Sequence, residues 1–216
     1  HSNMVLGLQE GTTSHDFMEA LEESHRCQTK LDVDRFIHSV NVRKHDLCLI
    51  PPGTLHSAGR GNLVLEISTT PYIFTFKMYD WMSMDLDGAP RPLNISRAMD
   101  NLYFDRKGKR IDEEFVCHPV VVKDDGNLRI EHLPTHENHS YDVMRYTLTG
   151  VLQLSTDSRC HVLNLVDGKH AVIRTGNGGE YHISYGETFV VCSSSNSYTV
   201  SSEDGSRIMF VDAFMK

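Results

Sequence analysis

Leu47-Cys-Leu-Ile-Pro-Pro-Gly-Thr-Leu-His56-Ser-Ala-Gly-Arg-Gly-Asn-Leu-Val-Leu-Glu-Ile67 is the stretch on which the reading of this chain turns. Two apolar runs, 47–50 and 63–67, read as short strands. Between them a Pro-Gly turn delivers one histidine, His56, at the end of a strand. A histidine held by a sharp turn at a strand end is a candidate metal or substrate contact.

Upstream, Met4–Leu8 reads as a strand. Thr13-Ser14-His15-Asp16 is a hydroxyl cap with an acid three positions on, and it opens a helix over 14–24 whose Phe17, Ala20 and Leu21 share a face. A second helix is expected over Asp32–Ser39, then a strand at Val40–Val42. Downstream, 72–79 reads as a strand, and a polar crossing follows at Asp85-Leu-Asp-Gly-Ala-Pro-Arg-Pro. Ile95–Tyr103 has helical spacing. Arg106–Glu114 is charged and reads as a linker, with Arg106-Lys107-Gly108-Lys109-Arg110 as a solvated loop. From Cys117 onward ten short apolar segments are separated by Asp-Gly, Gly-Asn-Gly-Gly and Ser-rich turns. This pattern predicts an all-β double sheet, and the two β units suggest one fold used twice.

Composition narrows the function classes. The chain has 216 residues, room for two small domains, with 21 Lys and Arg against 29 Asp and Glu, a net charge of -8. An acidic chain whose one basic run spans 106–110 is a poor match for a nucleic-acid partner. No apolar run approaches the ~20 residues of a membrane helix, so neither a nucleic-acid nor a membrane partner is expected. Five cysteines without a Cys-x-x-Cys pair fit a reducing compartment, and the cytoplasm is the expected location. His1-Ser2-Asn3 reads as a tag remnant before a segment starting near Met4.

Pro51, Gly53 and His56 match the Gly-x5-Pro-x-Gly-x2-His signature of cupin jelly rolls, in which the histidine is a metal ligand. His45 stands where the signature has its first glycine, a turn position that favours positive φ. The wider sequence resembles the class I mannose-6-phosphate isomerases. The residues that carry the resemblance are Pro51–Gly59, Leu65-Glu66-Ile67, Tyr79-Asp80-Trp81 and Asp85–Leu93, with Gly7-Leu8-Gln9-Glu10-Gly11 before them.

The resemblance implies an all-β cupin (jelly-roll, double-stranded β-helix) fold in two β units with a few short helices. Residues 4–104 would be the later part of a metal-bearing cupin with a helical insert and a connecting helix, 105–116 a linker, and 117–216 a second, metal-free cupin. It implies that His56 is a zinc ligand, that Glu66 lies near the sugar as a candidate for proton transfer, and that Lys77 stands where the family commonly has a catalytic arginine. An ammonium can bind phosphate or stabilise enediolate charge but lacks the bidentate fork.

The reaction implied is aldose–ketose interconversion of mannose 6-phosphate and fructose 6-phosphate through an enediol, with a zinc ion polarising the sugar oxygens. The family's remaining ligands come from Gln-x-His-Pro and Gly-Lys-Thr-Glu segments that precede the part matched here. The chain is therefore expected to be a C-terminal fragment, inactive alone, and able to self-associate through exposed strand edges of its first barrel. A non-catalytic sugar-binding or assembly module is the competing expectation, favoured by Lys77.

Gly186-Glu-Thr-Phe-Val-Val-Cys192-Ser-Ser194-Ser-Asn-Ser197 repeats the signature spacing with Ser197 in the histidine position, and the matching strand carries His161 alone, so a packing role is expected. His132, His136 and His139 form an alternative metal cluster, but Pro134 interrupts the helix that would align them, and a solvated loop is expected instead.

Overall fold

In the computed structural model the described residues are 2–69 and 75–216. They form two compact units, 1–116 and 117–216.

The first unit is built on β1 (Ser2–Leu8), the middle strand of a three-stranded antiparallel sheet. Its neighbours are β2 (Ile37–Val42) and β3 (His56–Ala58). β1 is apolar without alternation because both of its faces are covered. Val5 and Leu8 pack with Phe17 and Leu21 of α1 (Ser14–Cys27) and with Phe36 and Ile37, whereas Leu6 packs with Val40, Ile111 and Phe115. A bulge between Val5 and Leu8 sits at Gly7, whose φ is +73°. A Cβ there would lie 2.5 Å from Ile111 Cδ1, so only glycine lets the helix behind it approach.

Helix α1 begins as its cap sequence dictates: Thr13 Oγ1 accepts the Asp16 N–H at 3.1 Å. The expected helix over Asp32–Ser39 shrinks to a 3₁₀ turn at Val33–Arg35, because Ile37–Val42 pairs with β1. Strand pairing to a buried neighbour overrides a short helical spacing. Ile95–Asn101 forms α2. Residues 105–116, read as a linker, carry α3 (Lys109–Glu114), and Ile111 and Phe115 are fully buried in the first unit. The charged residues around them hide two apolar side chains spaced i, i+4, one helical face.

Neither apolar run of the opening stretch is a strand. Residues 47–50 make one isolated bridge, Cys48 to Val116, and residues 63–67 are irregular, with Leu63 86% and Val64 61% exposed. β propensity needs a partner ladder to be realised, and the first unit's three strands are paired elsewhere. The strand expected over 72–79 lies partly outside the described residues, and its remainder, 75–79, is irregular.

The second unit realises all ten expected strands, β4 (Val120–Asp124), β5 (Leu128–Leu133), β6 (Tyr141–Leu148), β7 (Val151–Ser155), β8 (His161–Asp167), β9 (His170–Thr175), β10 (Glu180–Ser184), β11 (Thr188–Val191), β12 (Ser197–Ser202) and β13 (Ile208–Met215). They make a four-stranded sheet, β10-β9-β12-β7, and a six-stranded sheet, β11-β8-β13-β6-β5-β4. Alternate residues face inward, among them Leu163 and Leu165 of β8, Tyr198 and Val200 of β12, and Ile208 and Phe210 of β13, and they form one core.

On the six-stranded sheet Glu131 is buried opposite Arg145, accepting from Arg145 Nε at 2.8 Å and Arg129 Nη2 at 3.0 Å. Burial pushes its pKa up, but the two guanidinium partners outweigh it and hold it below 4.5. A carboxylate depressed on folding stabilises the fold above its unfolded pKa, and the contribution is lost as pH falls through the folded value. Urea unfolding of the second unit should therefore show stability falling below about pH 4.5. Glu131→Gln should lower stability near neutral pH and flatten that acid limb, and an unchanged limb would remove Glu131 as its cause.

Candidate functional site

The turn before His56 is held from inside by Arg106. Its guanidinium is buried and donates to Pro51 O at 2.9 Å, to Thr54 Oγ1 at 2.6 Å and to Pro52 O, while its plane lies 4.6 Å from the Tyr103 ring centre. Burial lowers its pKa. The solvated-loop expectation for 106–110 is thus wrong at its first residue, because three carbonyl and hydroxyl acceptors solvate the charge in place of water. Thr54 is buried too and donates its hydroxyl to Pro51 O at 2.7 Å. Gly53, with φ +82°, brings its backbone against residue 103, whose N–H donates to Gly53 O at 3.0 Å. His45, in the first glycine position of the signature, has φ +73°, so the turn geometry is kept without glycine.

The chain then enters β3 with His56 as its first residue, opposite Leu6. His56 faces solvent, and its Nδ1 lies 2.9 Å from Thr54 O. A carbonyl can only accept, so Nδ1 carries the proton and a neutral His56 presents an unprotonated Nε2 outward.

Lys77 is placed by a different device. Residues 85–89 form a tight hairpin with the Asp85 N–H donating to Ala89 O at 2.7 Å, and Arg91 returns its N–H to Ser83 O at 3.3 Å. Lys77 Nζ and Arg91 Nη1 then converge on Asp80 Oδ2, at 3.1 and 3.4 Å. Two cations sharing one carboxylate leave an excess positive charge, which suits an anionic ligand. Trp81 and Met82, next in the chain, both adopt positive φ, 51° and 62°, a conformation costing roughly 1 kcal/mol or more per residue. Tyr79 braces the segment, accepting the Leu31 N–H on its hydroxyl at 3.2 Å and meeting Trp81 edge-on at 5.3 Å.

Glu66 is exposed in the irregular stretch 63–67, not on the inward-facing strand expected for it. Among the described residues no hydrogen bond or ion pair joins His56, Glu66 and Lys77, and no group of three or more His, Cys, Asp or Glu could hold a metal ion. That statement covers His132, His136 and His139. His132 is taken by Asp142, 2.9 Å away, and His139 is buried and stacked on Tyr141 at 5.1 Å, so the solvated-loop expectation fails for these two.

In the second unit Ser197 opens β12 as His56 opens β3. His161 has a partner that sequence did not suggest. Its Nδ1 lies 2.7 Å from Asp212 Oδ2 and its Nε2 3.1 Å from Thr156 O, with Tyr198 Oη 3.1 Å from Nδ1. Both ring nitrogens therefore have an oxygen within hydrogen-bond reach, an arrangement that favours the protonated imidazole. Burial acts to lower its pKa, but these acceptors raise it overall. Burial raises the pKa of Asp212, and His161 opposes that. The only hint in the sequence was one acid inside the apolar run 208–214.

No family model matches the chain. Over 199 residues, 92% of its length, the chain is 23% identical to the probable mannose-6-phosphate isomerase GmuF of Bacillus subtilis strain 168 and spans 57% of that protein. A 71-residue part, 33% of this chain and 22% of the relative, is 31% identical to the mannose-6-phosphate isomerase of Streptococcus mutans serotype c. The solved mannose 6-phosphate isomerase of Bacillus subtilis superposes with a TM-score of 0.70 over 99% of this chain and 60% of that one, at 12% identity. Its relatives are mannose-6-phosphate isomerases.

The resemblance carried by the 51–59 and 85–93 motifs is thus met by similarity along most of the chain to mannose-6-phosphate isomerases, and the structural match bears out a mostly β fold in two units. Arg91 sits inside the 85–93 motif but was given no role from sequence, since its approach to Asp80 depends on the hairpin at 85–89.

Because Arg106 fixes the turn that presents His56, Arg106→Ala should destabilise the first unit by about 2–4 kcal/mol, since it removes a buried guanidinium with its three hydrogen bonds and its packing on Tyr103. It should also speed amide exchange at residues 54–57. Wild-type exchange there would show that the turn stands without the guanidinium.

Proposed function

We propose that the chain is part of a longer mannose-6-phosphate isomerase-like enzyme that interconverts mannose 6-phosphate and fructose 6-phosphate. The observation that carries this reading is the 2.9 Å approach of His56 Nδ1 to the Thr54 carbonyl. A Thr54 carbonyl fixes the proton on Nδ1 and leaves Nε2 free, the arrangement a metal-binding imidazole needs. The curated relatives supply the reaction, and the Lys77–Asp80–Arg91 cluster supplies excess cationic charge for a sugar phosphate.

The described residues do not by themselves make a zinc site, since a closed site needs three or four ligands. In this reading His56 is one ligand of a zinc ion completed by the part of the relatives that this chain does not span, 57% of GmuF being covered. Glu66 is the proposed proton carrier between C1 and C2 of the open sugar, and it reaches the site once 63–67 pairs as a strand. The exposed Leu63, Val64 and Leu65 support such a partner. The protein so described would work in sugar metabolism in the cytoplasm.

A second reading rests on Lys77. Its ammonium, in place of the usual arginine, is already engaged by Asp80, which favours a sugar-binding or assembly cupin without catalysis.

A coupled mannose-6-phosphate isomerase assay with added zinc separates the two. The longer polypeptide should turn over substrate, the 216-residue chain should not, and His56→Ala in the longer polypeptide should be at least ~100-fold slower. Full activity in His56→Ala would overturn the ligand role. Binding of the sugar phosphate by calorimetry without turnover would favour the binding module.

A further inference from the structure

Antiparallel β8 and β11 pair in strict register, with Asn164 opposite Thr188, Leu163 opposite Phe189, Val162 opposite Val190 and His161 opposite Val191. The ladder ends at His161 and Val191, and Cys160 and Cys192 are the next residues on the two chains, so the register carried one step further sets them opposite each other. The alternation of faces puts both on the outside. His161, Leu163 and Val191 are buried, whereas Val162 and Val190 are 42% and 57% exposed, and both cysteines share their exposed face. The hydrogen-bond phase also favours the pair. The Leu165 N–H donates to Glu187 O, which marks 165/187 as a hydrogen-bonded position. Counting in twos, 161/191 is bonded and 160/192 is the non-bonded kind, where Cα atoms approach to about 4.5 Å and side chains lie closest. That spacing falls inside the range a disulfide requires, roughly 4.4–6.8 Å between Cα atoms. The other cysteines are placed differently: Cys27 ends α1, Cys48 faces Val116 across its bridge with its thiol pKa pushed up by burial, and Cys117 is buried.

We propose that Cys160 and Cys192 are a redox-modification site, a cross-strand dithiol that closes into an intrachain disulfide by exchange with a small-molecule disulfide. The thiolate of one cysteine attacks a sulfur of RSSR, forming a mixed disulfide and releasing RS⁻. The second cysteine, as its thiolate, attacks the bonded protein sulfur and releases the other RS⁻. The two thiols lose two electrons and two protons, and RSSR becomes two RSH. β11 ends the six-stranded sheet and its ladder partner is β8. The bond therefore fastens the sheet's edge strand beside the buried His161–Asp212 pair. This inference is independent of the isomerase reading, since it uses neither His56 nor Lys77.

The test is to equilibrate the folded full chain across a series of oxidised to reduced glutathione ratios, quench with an alkylating reagent and map non-reduced tryptic peptides. The expected result is loss of two of the five alkylatable thiols, with the peptide beginning at Cys160 joined to the one containing Cys192. Cys160→Ser should abolish the joined peptide and leave Cys192 to accumulate as a glutathione adduct, while Cys27→Ser should change nothing. Separate glutathione adducts on Cys160 and Cys192 in the unmodified sequence, without the joined peptide, would overturn the proposal. So would a joined peptide that forms as readily in guanidinium as in the folded chain, because the pairing would then owe nothing to the register.

Discussion

The buried guanidinium of Arg106 is the interaction on which the first unit's candidate site depends. A cation removed from water must be solvated by protein, and here the acceptors are the backbone oxygens of Pro51 and Pro52 and the Thr54 hydroxyl. The Thr54 N–H and hydroxyl already donate to Pro51 O, and the fork-shaped guanidinium adds a donor there and reaches Pro52 O as well. The same residue is tied through its backbone to β1, its carbonyl accepting the Leu8 N–H at 3.1 Å. The turn, the central strand and the chain leading into α3 are thereby joined at one point, and the direction in which His56 leaves the turn follows from it.

The second unit uses charge in the opposite way. Beside its exposed ion pairs it carries two that are buried. Glu131 between two arginines ties β5 to β6, and His161 with Asp212 ties β8 to β13 inside the core. A buried pair of this kind is costly to break, because either partner alone would remain as an uncompensated charge. The contrast between the units follows: one holds an exposed imidazole with a free nitrogen, and the other locks its imidazole between three oxygen atoms.

What sequence reasoning missed has a common physical origin. Residues 63–67 have the composition of a strand, yet Leu63 and Val64 stay exposed because strand formation needs a neighbour. Arg106 and Asp212 look like ordinary surface charges in a one-dimensional string, and only burial assigns them partners. Cys160 and Cys192 are more than thirty positions apart in sequence, and the pairing of two strands that are not neighbours in the chain is needed to set them face to face.

The sequence by itself determined the all-β class, the ten strands of the second unit, the capped start of α1 and the turn bearing His56. These are local outcomes, set by periodicity of two, by a hydroxyl cap and by Pro-Gly chemistry within a few residues. Tertiary structure alone decided the approach of Arg91 to Asp80 and the burial of Arg106, His161 and Asp212. Each of these depends on which distant oxygen ends up within about 3 Å, a distance fixed by packing rather than by neighbours in the chain.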